Sequence, residues 1–375
     1  MDLLDFFEHA CRHTQPGDVV SWPAGEVGLL RHADDLARRF GFKPQDPTGH
    51  AWLNVRQSDS PVIRWVRKTD FADWLDLFVA CFGHDMSEAQ WSWKYRDTNK
   101  PGVAVFQQGR MIAFYGGMPR DVVLGGQRRA GIQVGDVMVH PAFRKGLTRK
   151  GPFHLAASTF LEQTLSVGSP NWIGFGFPNQ RAMQVARRLH FYRPVDQLVE
   201  LFWPPKIKAL PWWLGCVKDD RIHLGYVDDL WFEMSQAMPE SLMGVRDARH
   251  VQTRYLAHPS HNYTLLKVFN RVSRKVLGVL VLRELSDGRQ EMLDVIGHPR
   301  RFRTLVLAAQ SFASEAHSPA VSFWVTQSHA HLLKTEDSRL VALDVQIPTN
   351  DWVRGDLDID PAGKWWLTSG DTDFR

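Results

Sequence analysis

The sequence predicts a mixed α/β protein made of two tandem copies of one fold. Three observations carry this. Between residues 61 and 203, apolar periodicities of two and of three to four alternate in the order β-α-α-β-β-β-α-β-α-β. Inside that run a strand ends at His140-Pro141. It passes through the basic stretch Arg144-Lys145-Gly146-Leu147-Thr148-Arg149-Lys150-Gly151 into a helix. Third, Asp136-Val137-Met138-Val139-His140-Pro141 is echoed by Asp294-Val295-Ile296-Gly297-His298-Pro299 at an offset of 158 residues, and Tyr95 is echoed by Tyr255 at an offset of 160.

Composition sets the bounds. A chain of 375 residues exceeds one ordinary domain, and 44% hydrophobic with 23% charged residues is globular usage. The apolar runs at 75–82 and 276–282 are too short to span a bilayer, so no membrane partner is expected. The acidic N-terminus lacks the basic start of a signal peptide. Cys11, Cys81 and Cys216 lie far apart with no metal-ligand spacing, which predicts reduced thiols in a cytoplasmic protein and no metal. A dispersed net charge of +4 argues against nucleic acid. The fifteen tryptophans read as core and interface anchors, with an aromatic wall around a ligand as the other reading. A homo-oligomer is compatible with all of this.

The elements follow in order. Residues 1–60 form an N-terminal extension with helices at 3–12 and 27–40 and no chemistry, read as an interaction or covering segment. Residues 61–203 form the first copy. A strand at 62–66 precedes a helix from Asp70 whose apolar face holds Phe71, Trp74, Leu75, Leu77 and Phe78. A second helix begins near Ser87 and carries Trp91, Trp93 and Tyr95. Strands at 103–107, 111–116 and 121–124 are separated by glycine turns. The strand 131–140, the helix 152–163, the strand 172–177, the helix 179–189 and an extended segment at 197–202 complete it. The proline-rich 204–224 reads as a linker. Residues 225–375 form the second copy, with a strand at 276–282, a helix at 302–316 and a strand at 321–326. After its His298-Pro299 come Arg300, Arg301 and Arg303 but no glycine to let a phosphate approach the backbone. The second copy is therefore degenerate, a packing partner or acceptor-side wall.

A strand that delivers a basic loop to a helix N-terminus aims backbone N–H groups at an anion such as a pyrophosphate. Thirty residues downstream, Asn179 and Ala182 open a helix that ends at Leu189-His190-Phe191. Together the two stretches resemble the acetyl-CoA-binding core of the GNAT superfamily of N-acetyltransferases. The resemblance implies a mixed-sheet GNAT fold and a cofactor, acetyl-CoA or another acyl-CoA, lying where two parallel strands splay apart. It gives Val137, Met138 and Val139 the pantetheine. It gives Arg144, Lys145, Gly146, Leu147, Thr148, Arg149, Lys150 and Gly151 the pyrophosphate, with Asn179 beside them. Leu147 and Arg149 stand where the family's loop pattern carries glycine or alanine.

The implied reaction is transfer of an acetyl group from acetyl-CoA to a small-molecule primary amine by direct attack in a ternary complex. An amino sugar or an amino acid derivative is the expected acceptor. The family's proton-donating tyrosine falls on Ala186, and Tyr192 is the next candidate, with strand-edge packing as its other reading. The family's glutamate base falls near Gln133, which leaves Asp136 as the nearest carboxylate. Strand alternation places Asp136 on the face opposite Gln133. Asp294, in the same context without the loop, offers a structural hydrogen bond as the other role for Asp136. The alternative for the whole chain is a GNAT-fold acyl-CoA-binding or scaffold protein without turnover.

Overall fold

The computed structural model of the protein describes residues 2–22, 33–45, 51–57, 60–144, 148, 151–166, 168–206, 210–219, 224–350, 352 and 357–372. The N-terminal segment holds α1 (Leu3–His13), β1 (Val19–Ser21), α2 (Ala33–Arg39), β2 (Phe42–Pro44) and β3 (Ala51–Asn54). The first copy runs through β4 (Val62–Trp65), α3 (Phe71–Phe82), α4 (Glu88–Lys94), β5 (Gly102–Gln107), β6 (Arg110–Pro119), β7 (Val122–Leu124), β8 (Gln127–Arg129) and β9 (Gly131–Val139). It continues with α5 (Pro152–Leu165), β10 (Ile173–Gly176), α6 (Gln180–Arg188) and β11 (Tyr192–Trp203). The second comprises β12 (Leu214–Lys218), α7 (Gly225–Ala237), β13 (Leu242–Gly244), α8 (Ala248–Val251), β14 (Thr264–Asn270), β15 (Val276–Glu284) and β16 (Gln290–Ile296). It closes with α9 (Phe302–Glu315), β17 (Val321–Thr326), β18 (Arg339–Asn350) and β19 (Trp365–Trp366).

The repeat is a repeat of topology. The first sheet has the order β10-β9-β6-β5-β4, and the second contains β17-β16-β15-β14-β12, element for element the same. In each, the only parallel neighbours in that run are the strand before the long helix and the strand after it. Alternation along β5 sorts the two faces. Val103 and Val105 pack with α5, while Ala104 and Phe106 pack with α3 and α4. Local signals set the helix ends. Ser87 and Gln90 form a capping box that starts α4, and Pro152 opens α5 where its missing N–H costs no bond.

Several expectations change on contact with the structure. The N-terminal extension contains a small sheet, β1-β3-β2, that the pattern did not show because its strands are three or four residues long. Of the helix expected at 27–40, residues 33–39 form α2 and 27–32 lie outside the described residues. The extension covers α5. Phe7, Leu36 and Trp52 share a core with Phe160, and Arg39 makes a two-pronged bond to the buried Glu162 at 2.7 and 2.8 Å. The segment read as a linker includes β12, an edge strand paired with β14. The boundary at 203 is not a physical break. β11 lies in the second copy's sheet, between β17 and β18. Its partners are set by tertiary pairing, which no local pattern encodes.

The second copy's strands also part. β16 and β17 pair from Gln290–Val321 to Met292–Phe323 and no further. The segment Trp365–Thr372, buried throughout, fills that gap. Thr326 N–H donates to the Leu367 carbonyl at 3.1 Å, Val325 bridges Thr368, and Ser369 Oγ donates to the Met292 carbonyl at 3.2 Å. A Cβ on Gly370 would lie 2.8 Å from the Leu293 carbonyl, so only glycine fits there. The chain's own C-terminal segment thus occupies the slot that the first copy leaves open.

His329 packs edge-on against Trp366 of this plug at 5.8 Å and lies 2.8 Å from Ser241. Burial, and then the neighbouring His331, push its imidazole down from 6.5 to about 4. The folded pKa is the lower one, so the unfolded chain binds the extra proton. Stability is full above pH 6.5 and is lost as pH falls toward 4. Across that window the protein is expected to lose about 2–3 kcal/mol more than His329→Gln does. Urea unfolding of both proteins at the two pH values measures the difference.

Candidate active site

The site begins where β10 leaves β9. The two pair in parallel from Gly131–Ile173 to Val134–Gly176 and then separate. On its other side β9 stays paired with β6 out to Val139. Residues 135–139 therefore present one backbone edge to a gap. A Cβ on Gly176 would approach the Val134 carbonyl to 3.0 Å, so glycine holds the strands together up to the point of divergence.

A cavity of about 980 Å³ occupies this gap. It touches Phe78 and Phe82 of α3 on one face of the sheet and Leu161 and Leu165 of α5 on the other. A cavity that reaches both faces must pass through the sheet, and the splay is where it does so. Gly135, Val137, Met138 and Val139 line the β9 side; Gly174, Phe175, Gly176 and Asn179 line the β10 side.

The sequence-named residues fall as follows. Val137, Met138, Val139, Arg144, Thr148, Gly151, Asn179, Asp136 and Tyr192 all line the cavity. Lys145, Gly146, Leu147, Arg149 and Lys150 lie outside the described residues. Gly151 is the N-cap of α5, whose first turn (Pro152, Phe153 and His154) also lines the cavity. Asn179 Oδ1 accepts the Ala182 N–H at 2.9 Å and so caps α6 while its residue borders the gap. Arg144 Nε donates to the Val139 carbonyl at 2.8 Å, folding back over the end of β9.

Asp136 departs from the expected alternation. On β9, residues 135 and 138 oppose Gly116 and Phe114 of β6, so β9 carries one extra residue there. Asp136 sits in the bulge with φ of +50°, in the left-handed region that aspartate tolerates better than most. The bulge turns Asp136 to the α4 side, the side Gln133 already faces, instead of the opposite one. Lys94 Nζ lies 2.6 Å from one carboxylate oxygen, and Tyr95 Oη donates to the other at 2.7 Å. The second copy repeats the pair. Tyr255 Oη donates to Asp294 at 3.1 Å, and Arg246 supplies the cation at 2.8 Å. The conserved spacing of the internal repeat is thus the spacing of a tyrosine–aspartate bond that ties a helix to a bulged strand.

Two hydroxyls in the cavity are orphaned. Tyr192 Oη and Tyr115 Oη are buried and meet no hydrogen-bond partner among the described residues. Burial pushes the Tyr192 phenol well above its ordinary value, so it stays protonated. From the second copy, His258 and His261 reach the cavity wall beside Trp93. His258 Nδ1 accepts two backbone N–H groups at 3.2 and 3.0 Å, which puts its proton on Nε2. Burial, then Arg254, depress His258 to about 4; burial, then Arg283, lower His261. Both are neutral near pH 7. No local pattern marks these histidines, because their loop belongs to the other copy.

The first copy thus presents a splayed parallel pair, entered from a helix N-terminus and open through the sheet. Residues 62–168 match the model of the acetyltransferase (GNAT) domain. Over those residues the chain is similar to that domain. No curated protein matches the sequence. Among solved structures, the GNAT fold recurs over most of the chain. A probable N-acyltransferase of unknown function from Enterococcus faecalis V583 is 13% identical, with a TM-score of 0.58 over 78% of this chain and 73% of that one. A GCN5-related N-acetyltransferase from Kribbella flavida is 15% identical, with a TM-score of 0.58 over 77% and 71%. An N-myristoyltransferase from Saccharomyces cerevisiae, solved with myristoyl-CoA and inhibitors, is 10% identical, with a TM-score of 0.52 over 93% of each chain. The GNAT fold here is a tandem one, with one open slot and one plugged. Among the described residues, no helix is long and apolar enough to cross a membrane.

Proposed function

We propose that the protein is an acyl-CoA-dependent N-acyltransferase acting on a small-molecule primary amine, with acetyl-CoA as the simplest donor. The carrying observation is the cavity that passes through the sheet at the β9–β10 divergence. The residues present suit such a cofactor. The free edge of 135–139 offers peptide groups to a pantetheine arm, the orphaned hydroxyls offer partners to its polar atoms, and the first turn of α5 faces its phosphates.

In this reading the amine nitrogen attacks the thioester carbonyl carbon, the C–S bond breaks, and the products are the N-acyl amine and the free CoA thiol. Two protons move: one leaves the amine and one reaches the thiolate. Asp136 is assigned a positioning role, since Lys94 and Tyr95 occupy its oxygens. His261, neutral and on the cavity wall, is assigned the amine's proton, directly or through water. Tyr192, kept protonated by burial, is assigned the thiolate's proton.

Tyr192→Phe is expected to lower kcat by about 10²-fold. It should leave thermal stability unchanged or raised, because it removes a buried hydroxyl without a partner. Thiol release with an amine panel, beside a melting curve, checks both halves. Saturation by acetyl-CoA with no thiol released by any amine would overturn the enzymatic reading in favour of an acyl-CoA-binding protein without turnover.

A further inference from the structure

We propose that the donor's acyl group is a straight chain of about six carbons, held in a blind apolar end of the cofactor cavity beneath α5. The inference rests on the acyltransferase reading above and names its donor. The cavity does not stop where the strands meet. Val134 and Gly176 are the last paired residues, yet Leu161, Leu165 and Gly174 also line it. Gly174 pairs with Ile132, two residues back along β9, so the cavity continues about 7 Å past the divergence. Alternation along β10 assigns this end to one face. Ile173 and Phe175 share a core with Trp365 on the far side, while a Cβ on Gly174 would lie 2.6 Å from Leu165 Cδ1. Gly176 shares the face of Gly174, so β10 sends no side chain into this end. Glycine at 174 also lets Leu165, the last residue of α5, drop onto the strand and form the end wall.

A cofactor whose phosphates face the first turn of α5 runs its arm along the free edge from 139 to 135 and brings its thioester to the divergence. The groups assigned to the amine's side, Lys94, Asp136 and His261, stand across the sheet toward α4. The blind end lies on the α5 side and in line with the arm, so neither the arm nor the amine fills it. Val134, Leu161, Leu165 and Gly174 give it apolar walls, which favours methylene groups over polar ones. Its depth of about 7 Å is the reach of roughly five carbon–carbon bonds beyond the carbonyl carbon.

A second observation is independent of the cavity's depth. Tyr115 lies on β6 between Phe114 and Gly116, which oppose Met138 and Gly135, so it stands level with the bulge at the start of the gap. Its ring packs near Phe153 and Phe160 of α5, at 6.4 and 5.1 Å, which places it on the α5 face. Tyr115 lines the cavity, and its buried hydroxyl has no hydrogen-bond partner among the described residues. A buried donor left unpaired is destabilising until a ligand supplies an acceptor. The carbonyl oxygen of a thioester at the divergence is such an acceptor. Held there on the α5 face, it turns the acyl chain beneath α5 and leaves the α4 side to the amine.

The test titrates the full chain calorimetrically with acetyl-CoA, hexanoyl-CoA and decanoyl-CoA. Each methylene buried should tighten binding about fourfold. Hexanoyl-CoA is therefore expected to bind at least tenfold more tightly than acetyl-CoA. Decanoyl-CoA should bind no more tightly than hexanoyl-CoA, because Leu165 closes the end. Leu165→Ala, with its fold checked by a melting curve, should make decanoyl-CoA the tightest of the three; the series on the unaltered chain stands without it. Acetyl-CoA binding with a hexanoyl advantage below tenfold would overturn the proposal and leave the acyltransferase reading in place. Decanoyl-CoA outbinding hexanoyl-CoA in the unaltered chain would do the same, as would a folded Leu165→Ala protein that still prefers hexanoyl-CoA. Binding of none of the three would overturn both.

Discussion

Arg246→Met is expected to destabilise the protein by about 3–5 kcal/mol. Arg246 is fully buried, 2.8 Å from Asp294, bonded to Asp371, and donates to the Gly244 carbonyl at 2.6 Å. Burial alone would lower its guanidinium, but the two carboxylates reverse that and hold it above its ordinary value. Methionine fills a similar volume and leaves both carboxylates in a dry site with one cation fewer. The loss should therefore far exceed that of a packing defect. Adding Asp294→Asn should recover most of it, because one uncompensated charge leaves with it while Asp371 keeps Arg120 as its partner. Urea unfolding of the single and double variants measures this. The site matters because Asp371 belongs to the plug, and Arg246 fastens the plug to the bulged strand.

Ala182→Trp is expected to weaken acetyl-CoA binding at least a hundredfold, about 2.8 kcal/mol, with little loss of stability. Ala182 is exposed, lies in the first turn of α6 and lines the open cavity. An indole there reaches into the cavity mouth. The helix-propensity cost is about 0.5 kcal/mol. Gln184→Trp, exposed on the same helix and away from the cavity, is the control and should bind acetyl-CoA normally. Calorimetric titration of the two variants separates a blocked slot from a damaged fold.

Much of the fold was legible because it follows from local signals. Ser87, Pro152 and Asn179 marked helix starts, and the repeat of Asp136 and Tyr95 as Asp294 and Tyr255 exposed the tandem architecture. The same repeat pointed to a shared hydrogen bond, and the structure supplies it in both copies. What was not legible depends on the other copy or on one inserted residue. A bulge at Asp136 reverses the face of every residue after it, and alternation cannot register that. β11 looks like the last strand of the first copy but pairs with β17 and β18. Trp365 and Trp366 read as core anchors, which they are, yet no pattern says that the gap they close is the counterpart of the first copy's cavity. His258 and His261 gain meaning only when the copies are docked. Val137 to Val139 and Gly151, singled out from the sequence for a cofactor, line the cavity.

In the proposed reading one slot is open to acyl-CoA and its twin is sealed by the chain itself. Hydrogen–deuterium exchange on the full chain, with and without saturating acetyl-CoA, distinguishes the two slots. Slowed exchange is expected at residues 135–139 and 174–176, with no change at 292–296 or 321–326. Protection confined to the second pair of segments, or none at the first, would refute the reading.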